Sequence, residues 1–127
     1  MDEDLYKDSR LVKELKHNDF KIVKDKFILK DDCNLPIIIN FYLPSCKHCR
    51  KIVRLWNEMS IRFNNDFKFY SINCDDVNNN NDLLCKKLKI KEYPSILYSL
   101  KSNSNKYITY RGRINKDDLL YFISFYI

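Results

Sequence analysis

Residues 36–43, Pro36-Ile37-Ile38-Ile39-Asn40-Phe41-Tyr42-Leu43, form an almost unbroken apolar and β-branched run. A strand with one wet face alternates apolar and polar side chains, whereas a continuous run fits a strand covered on both faces. The run therefore calls for an interior strand of a sheet, with a layer of structure packed on each side. Pro44 and Ser45 end it, and from Cys46 the apolar spacing turns helical, with Ile52, Val53, Leu55, Trp56 and Met59 along one side.

The other segments arrange themselves around that strand. Residues 67–73 repeat the buried-strand pattern, and Leu83, Leu84, Lys87 and Leu88 mark a helix. Pro94 opens a strand over residues 95–100. After a polar turn at residues 102–105, residues 107–110 supply its hairpin partner, ended by Gly112. A closing helix is expected over residues 116–127, capped by Asn115. Nearer the start, residues 11–15 alternate and fit an edge strand. His17-Asn18-Asp19 offers a cap, and Phe20, Val23, Lys24, Phe27 and Ile28 then predict a helix. The order β, α, β, α, β, α, β, β, α implies an α/β sandwich with a mixed central sheet. No repeat or Pro/Gly-rich linker divides the chain, and 127 residues suit one core rather than two, so residues 1–127 read as one domain. The chain has no Ala or Gln and is rich in Ile, Lys and Asn, a bias of the kind an AT-rich genome imposes. The Asn run at residues 78–81 accordingly reads as a solvated loop or helix start.

Chemistry concentrates at Cys46-Lys47-His48-Cys49, where a buried strand turns into a helix. The first thiol lies at the helix start, where free N–H groups and the helix dipole favour a thiolate, and Lys47 and His48 add positive charge. Thiols at such sites have pKa values of roughly 3.5–7.5 instead of about 8.5, and Cys46 is expected to share this acidity. Cys49, one turn on and facing inward, is expected to close the disulfide and release a bound partner. A zinc site is the competing reading, with Cys74 and Cys85 as the other half, although that second pair is widely spaced for a zinc ribbon. A purely structural Cys46–Cys49 bridge would close too short a loop to stabilise much. Neither metal nor cofactor is expected.

The formal charge of +6 is spread through every segment with Asp and Glu interleaved, so no nucleic-acid surface is expected. No run approaches the roughly 20 apolar residues that cross a bilayer, and Met1-Asp2-Glu3-Asp4-Leu5-Tyr6 lacks the apolar stretch of a secretory signal. Neither a membrane partner nor an oligomer is expected.

Three stretches carry a family resemblance. INFYLPSCKHC resembles the active-site strand and turn of protein disulfide isomerase domains. YSINCDDVNNNNDLLCKKLKIKEYPSILY resembles their later stretch with two cysteines and a Tyr-Pro pair, and LKHNDF resembles their opening segment. The sequence is thus similar to the thioredoxin superfamily, including the thioredoxin domain of quiescin sulfhydryl oxidases. The resemblance implies a thioredoxin fold and thiol–disulfide exchange with protein substrates, recharged by a separate oxidase or reductase. It implies Cys46 as attacking thiol and Cys49 as resolving thiol. Pro94 would be a cis-proline presenting the backbone of Tyr93 to a substrate segment; an X-Pro bond is the only place where a cis peptide costs little. Cys74 and Cys85 would form a second, structural disulfide, which favours an oxidising compartment such as the endoplasmic reticulum lumen over a cell interior or a virion. Cys33 is left over.

The resemblance is incomplete at informative positions. The family's buried carboxylate and its lysine partner are replaced together by Asn40 and Ser71, which avoids an uncompensated buried charge. From sequence alone, loss of that carboxylate predicts slow deprotonation of Cys49, with Asn40→Glu accelerating turnover. Ser45 replaces a Trp, and Arg54 replaces a kinking Pro, predicting a straighter helix. Ile114 stands where the family has a mobile Arg, leaving Arg113 as the candidate substitute. Lys47 and His48 predict a pair more oxidising than thioredoxin at about −270 mV. The alternative is a redox-quiet thioredoxin-fold module that binds clients or partner domains.

Overall fold

The structure is a computed structural model that describes residues 3–31, 34–101 and 104–127. Cys33 and part of the turn at residues 102–105 lie outside the described residues. Strand β4 (Ile37–Tyr42) is buried at all six positions, as its composition requires. It pairs in parallel with β5 (Lys68–Asn73) and antiparallel with β6 (Ser95–Ser99). β1 (Lys13–Leu15) runs parallel to β5 at one edge, and β7 (Ile108–Thr109) runs antiparallel to β6 at the other. The mixed sheet therefore has the order β1-β5-β4-β6-β7.

Because side chains alternate along a strand, β4 feeds two cores. Ile38 and Tyr42 join Tyr6, Trp56, Met59, Phe69, Leu119 and Ile123 on one face. Ile37, Ile39 and Phe41 join Leu15, Phe20, Phe27, Leu29, Tyr70, Ile72 and Leu84 on the other. The first face is covered by α1 (Lys47–Lys51), α2 (Val53–Arg62) and α4 (Lys116–Ser124). In α2, Trp56 packs edge-on against Phe69 with ring centres 5.1 Å apart, and its Nε1–H donates to the Tyr70 carbonyl at 3.2 Å. Asn115 caps α4 through the Asp118 amide, and the helix ends three residues before the chain does.

Three expectations need correction. The helix expected after His17-Asn18-Asp19 is absent: those residues form a 3₁₀ turn, and a hairpin of β2 (Phe20–Val23) and β3 (Lys26–Leu29) follows. Lys24 and Asp25 both take left-handed backbone, φ 50° and 66°, giving a two-residue turn whose twist suits a hairpin. The β-branched and aromatic residues flanking it favour strand, and Phe27 and Leu29 alternate inward with Lys26 and Ile28. The predicted face failed because Val23 and Lys24 are exposed while Phe20 and Phe27 are buried, and the hairpin covers the second core beside α3 (Asn81–Lys87).

The helix after Cys49 is not straight. Ile52 leaves helical geometry (φ −93°, ψ 0°), dividing α1 from α2 without a proline; it is buried, while Arg54 is exposed. The Asn run does lead into a helix, α3, but it is not wholly solvated. Asn80 adopts left-handed backbone (φ 60°) ahead of α3, and Asn81 is fully buried. Its Nδ2 donates to the carbonyls of Leu15 (3.2 Å) and Asn73 (3.0 Å), and its Oδ1 accepts the His17 amide at 2.9 Å. One side chain thus ties the ends of β1 and β5 to the start of α3. Cys74, just after β5, is bonded to Cys85 in α3, closing a loop with a sequence separation of 11; bridges over such loops contribute roughly 2–4 kcal/mol.

The turn at Lys24-Asp25 yields a test. Asp25→Gly should leave stability unchanged or raise it by up to about 1 kcal/mol, since glycine takes positive φ without the side-chain cost. In a helix the same change would cost about 1 kcal/mol. Urea denaturation distinguishes the two.

Candidate active site

The end of β4 delivers both thiols to the start of α1. The Cys46 amide donates to the Leu43 carbonyl at 3.0 Å, folding Pro44 and Ser45 into a tight turn. Cys46 is the N-cap of α1, and its Sγ accepts the Cys49 amide at 3.2 Å, a place usually filled by a side-chain oxygen. The Cys46 thiol also donates to the Tyr93 carbonyl at 3.7 Å. Tyr93 and Pro94 are joined by a cis peptide bond just before β6. The antiparallel pairing of β4 with β6 is what carries Tyr93 to Cys46, 47 residues away in sequence.

The two thiols sit in unequal surroundings. Cys46 is half-buried and Cys49 fully buried, and neither is bridged. Burial, followed by its interaction with Cys46, pushes the Cys49 thiol up to about 12. One sulfur can meet another molecule, while the other can reach little except its neighbour. Lys47 and His48 are exposed on α1. Arg113 is exposed, and its carbonyl accepts the Tyr110 hydroxyl at 2.6 Å. The four sulfurs of the zinc reading do not come together: Cys49 lies in the first core, whereas Cys74 and Cys85 are bonded to each other in the second.

Behind Cys49, polar residues occupy one row of the sheet. Asn40 pairs in register with Ser71, and Ser71 with Glu14. Asn40 and Ser71 are fully buried. Asn40 Nδ2 donates to the Tyr6 hydroxyl at 3.0 Å. Glu14 Oε2 accepts the Tyr42 hydroxyl at 2.5 Å and the Tyr6 amide at 3.0 Å. Burial nonetheless dominates and raises the Glu14 carboxyl to about 7, with the nearby Asp4 charge adding to the rise. Burial likewise pushes the Tyr6 and Tyr42 hydroxyls far above their usual range.

Residues 12–124 match the thioredoxin family model. The chain belongs to the thioredoxin family. This thioredoxin-family chain is 34% identical over 89 residues to DnaJ homolog subfamily C member 10 of Xenopus laevis, covering 70% of this chain and 10% of that protein. It is 27% identical over 122 residues to protein disulfide-isomerase of Datisca glomerata, covering 93% of this chain and 23% of the relative. The chain thus spans less than a quarter of either curated relative. The crystal structure of the J-Trx1 fragment of ERdj5 superposes with a TM-score of 0.74 at 22% identity, over 98% of this chain and 55% of that one. That likeness concerns the thioredoxin fold.

Sequence reasoning missed Tyr6, Glu14 and Tyr42. Tyr6 lay in a stretch that reads as polar and acidic, and only the register of β1 on β5 reveals that Glu14 points into the Cys49 side of this thioredoxin fold. Glu14 has a consequence for stability. A carboxyl raised by folding is protonated in both states at low pH, and above its ordinary value the unfolded chain ionises first. Stability should therefore fall as pH rises from about 4.5 to about 7, by on the order of 3 kcal/mol from Glu14. The difference between the parent and Glu14→Gln proteins, followed by denaturation across that window, should show this slope and then level off.

Proposed function

We propose that this thioredoxin-family domain exchanges disulfides with protein substrates through Cys46 and Cys49. The observation that carries the reading is the pairing of a half-exposed Cys46 sulfur with a buried Cys49 directly behind it. In the reducing direction, the Cys46 thiolate attacks a substrate disulfide; a Cys46–substrate bond forms and one substrate sulfur leaves as thiolate. Cys49, deprotonated, then attacks Cys46, forming Cys46–Cys49 and releasing the second substrate thiolate. Two electrons pass from the pair to the substrate, and oxidation of a substrate dithiol runs through the same steps backwards.

The supporting residues follow from position. The Cys49 amide directed at Cys46 Sγ favours the charged sulfur as nucleophile and as leaving group. The Tyr93 carbonyl beside Cys46 offers an extended substrate a backbone acceptor next to the reacting bond, with Pro94 setting its direction. Lys47 and His48 contribute positive charge at the rim, and Arg113 serves as an exposed cation further along the chain. The Cys74–Cys85 bridge favours an oxidising compartment, such as the endoplasmic reticulum lumen, where such bonds persist. The domain works as a monomer, and a separate oxidase or reductase returns the pair to its working state.

Trapping tests the assignment of the two thiols. In a Cys33→Ser background, Cys49→Ser should accumulate mixed disulfides with a denatured, disulfide-containing protein, and Cys46→Ser should form almost none. Equal adducts in the two variants on non-reducing gels, or none in either, would overturn it.

A further inference from the structure

One buried ionisable group, Glu14, has no part in the exchange steps above. Those steps require Cys49 to give up a proton, yet Cys49 is fully buried and its thiol holds that proton at neutral pH. Solvent does not reach it directly, so the acceptor must be supplied from within the protein.

Cys49 packs with Ile38, Tyr42 and Ile96 on one face of the sheet. Asn40 shares that face because it alternates with the two β4 residues, and it pairs in register with Ile96. The row Glu14–Ser71–Asn40 therefore runs from the sheet edge to its middle on the side where Cys49 lies. Glu14 Oε1, Ser71 Oγ and Asn40 Oδ1 are all buried; the Ser71 hydroxyl lies near enough to Glu14 to favour its charged form, but none of the three atoms has an aligned hydrogen-bond partner among the described residues. Internal waters typically make about three hydrogen bonds to such otherwise unsatisfied groups. Asn40 Nδ2 is committed to the Tyr6 hydroxyl, which leaves Oδ1 for the row. The Tyr6 hydroxyl in turn feels the charge on Cys49, so the row and the thiol share one electrostatic neighbourhood.

We infer, resting on the exchange function above, that Glu14 is the proton acceptor for Cys49 in the resolving step, reached through an internal water held by Glu14 Oε1, Ser71 Oγ and Asn40 Oδ1. The Cys49 S–H bond breaks, and its proton passes by way of the water to the Glu14 carboxylate. The Cys49 sulfur attacks Cys46 Sγ, the Cys46–Cys49 bond forms, and the substrate sulfur leaves with the electron pair. Glu14 afterwards returns the proton to the departing thiolate or to solvent. The groups that bear on Glu14 are Asp4, Tyr6, Tyr42 and the Ser71 hydroxyl, with Asp4 held by Lys16 at 2.7 Å. Those that bear on Cys49 are Cys46, Tyr6 and Tyr93. A carboxyl that titrates at about 7 is charged often enough to accept a proton and weak enough to hold it, the condition under which a base works best near neutral pH. The slow resolving step expected from the neutral Asn40 then gives way to one served by a carboxylate from β1, and Asn40→Glu brings no acceleration.

The test uses Cys33→Ser protein with Cys46 and Cys49 reduced, mixed with an aromatic disulfide whose released thiolate absorbs visible light. The first phase of release reports attack by Cys46, and the second reports closure by Cys49. With Glu14 present, the second phase should rise with pH through a midpoint near that of Glu14. Glu14→Gln should lose this midpoint and slow the second phase at neutral pH by on the order of 100-fold, and Glu14→Asp should restore part of it. Carboxyl carbon NMR of protein with the Glu14 side chain intact provides an independent measure: the Glu14 titration midpoint should differ between the reduced and oxidised pair. An unchanged second phase in Glu14→Gln, or one Glu14 midpoint in both redox states, would overturn the inference while leaving the exchange function standing. Absence of the first phase would remove both.

Discussion

Everything else in this domain depends on the double-sided burial of β4. A strand with all six residues out of solvent exists only if both sheet faces are covered, and the alternation of its side chains assigns those faces different work. Ile37, Ile39 and Phe41 anchor a largely apolar layer with the β2–β3 hairpin and α3. Ile38 and Tyr42 flank a single polar residue, Asn40, in the layer beneath α1, α2 and α4. The same strand ends in the turn that turns Cys46 into a helix cap. Fold stability and thiol geometry are thus set by one segment.

The polar row shows how a buried charge is tolerated here. An ionised carboxylate placed in such surroundings without partners would be costly. Glu14 meets this cost partly through two hydrogen bonds on Oε2 and partly by binding protons more tightly. Its charge is therefore conditional on pH, and the condition falls in the physiological range. Asp4 is balanced instead by Lys16, which it shares with Asp76 at 2.7 and 2.8 Å. Two acidic groups on neighbouring segments are handled in opposite ways, one by pairing and one by proton uptake.

Much of the fold was legible because its signals are local and redundant. The β4 run, the change to helical spacing at Cys46, and Asn115 ahead of α4 each carry a mechanism within a few residues. The β2–β3 hairpin was not, because its turn uses Lys24-Asp25 rather than a glycine-containing pair, and tertiary cover by the second core outweighs the apparent helical face. The break at Ile52 and the burial of Asn81 depend on packing that no single segment specifies. The cysteines announced their own chemistry, whereas Glu14 could be recognised only once β1 was in register on β5. Position in the row, not residue type, distinguishes it from the other acidic residues.

The most direct measurement of the central claim is a redox titration in glutathione buffers, with each cysteine alkylated and its state read by mass spectrometry. Cys46 and Cys49 should change together and reversibly, at a potential above the roughly −270 mV of thioredoxin and toward the roughly −180 mV of protein disulfide isomerase, with Cys74–Cys85 oxidised throughout. A pair that fails to cycle at any poise would contradict the account and leave a thioredoxin fold that binds without exchanging.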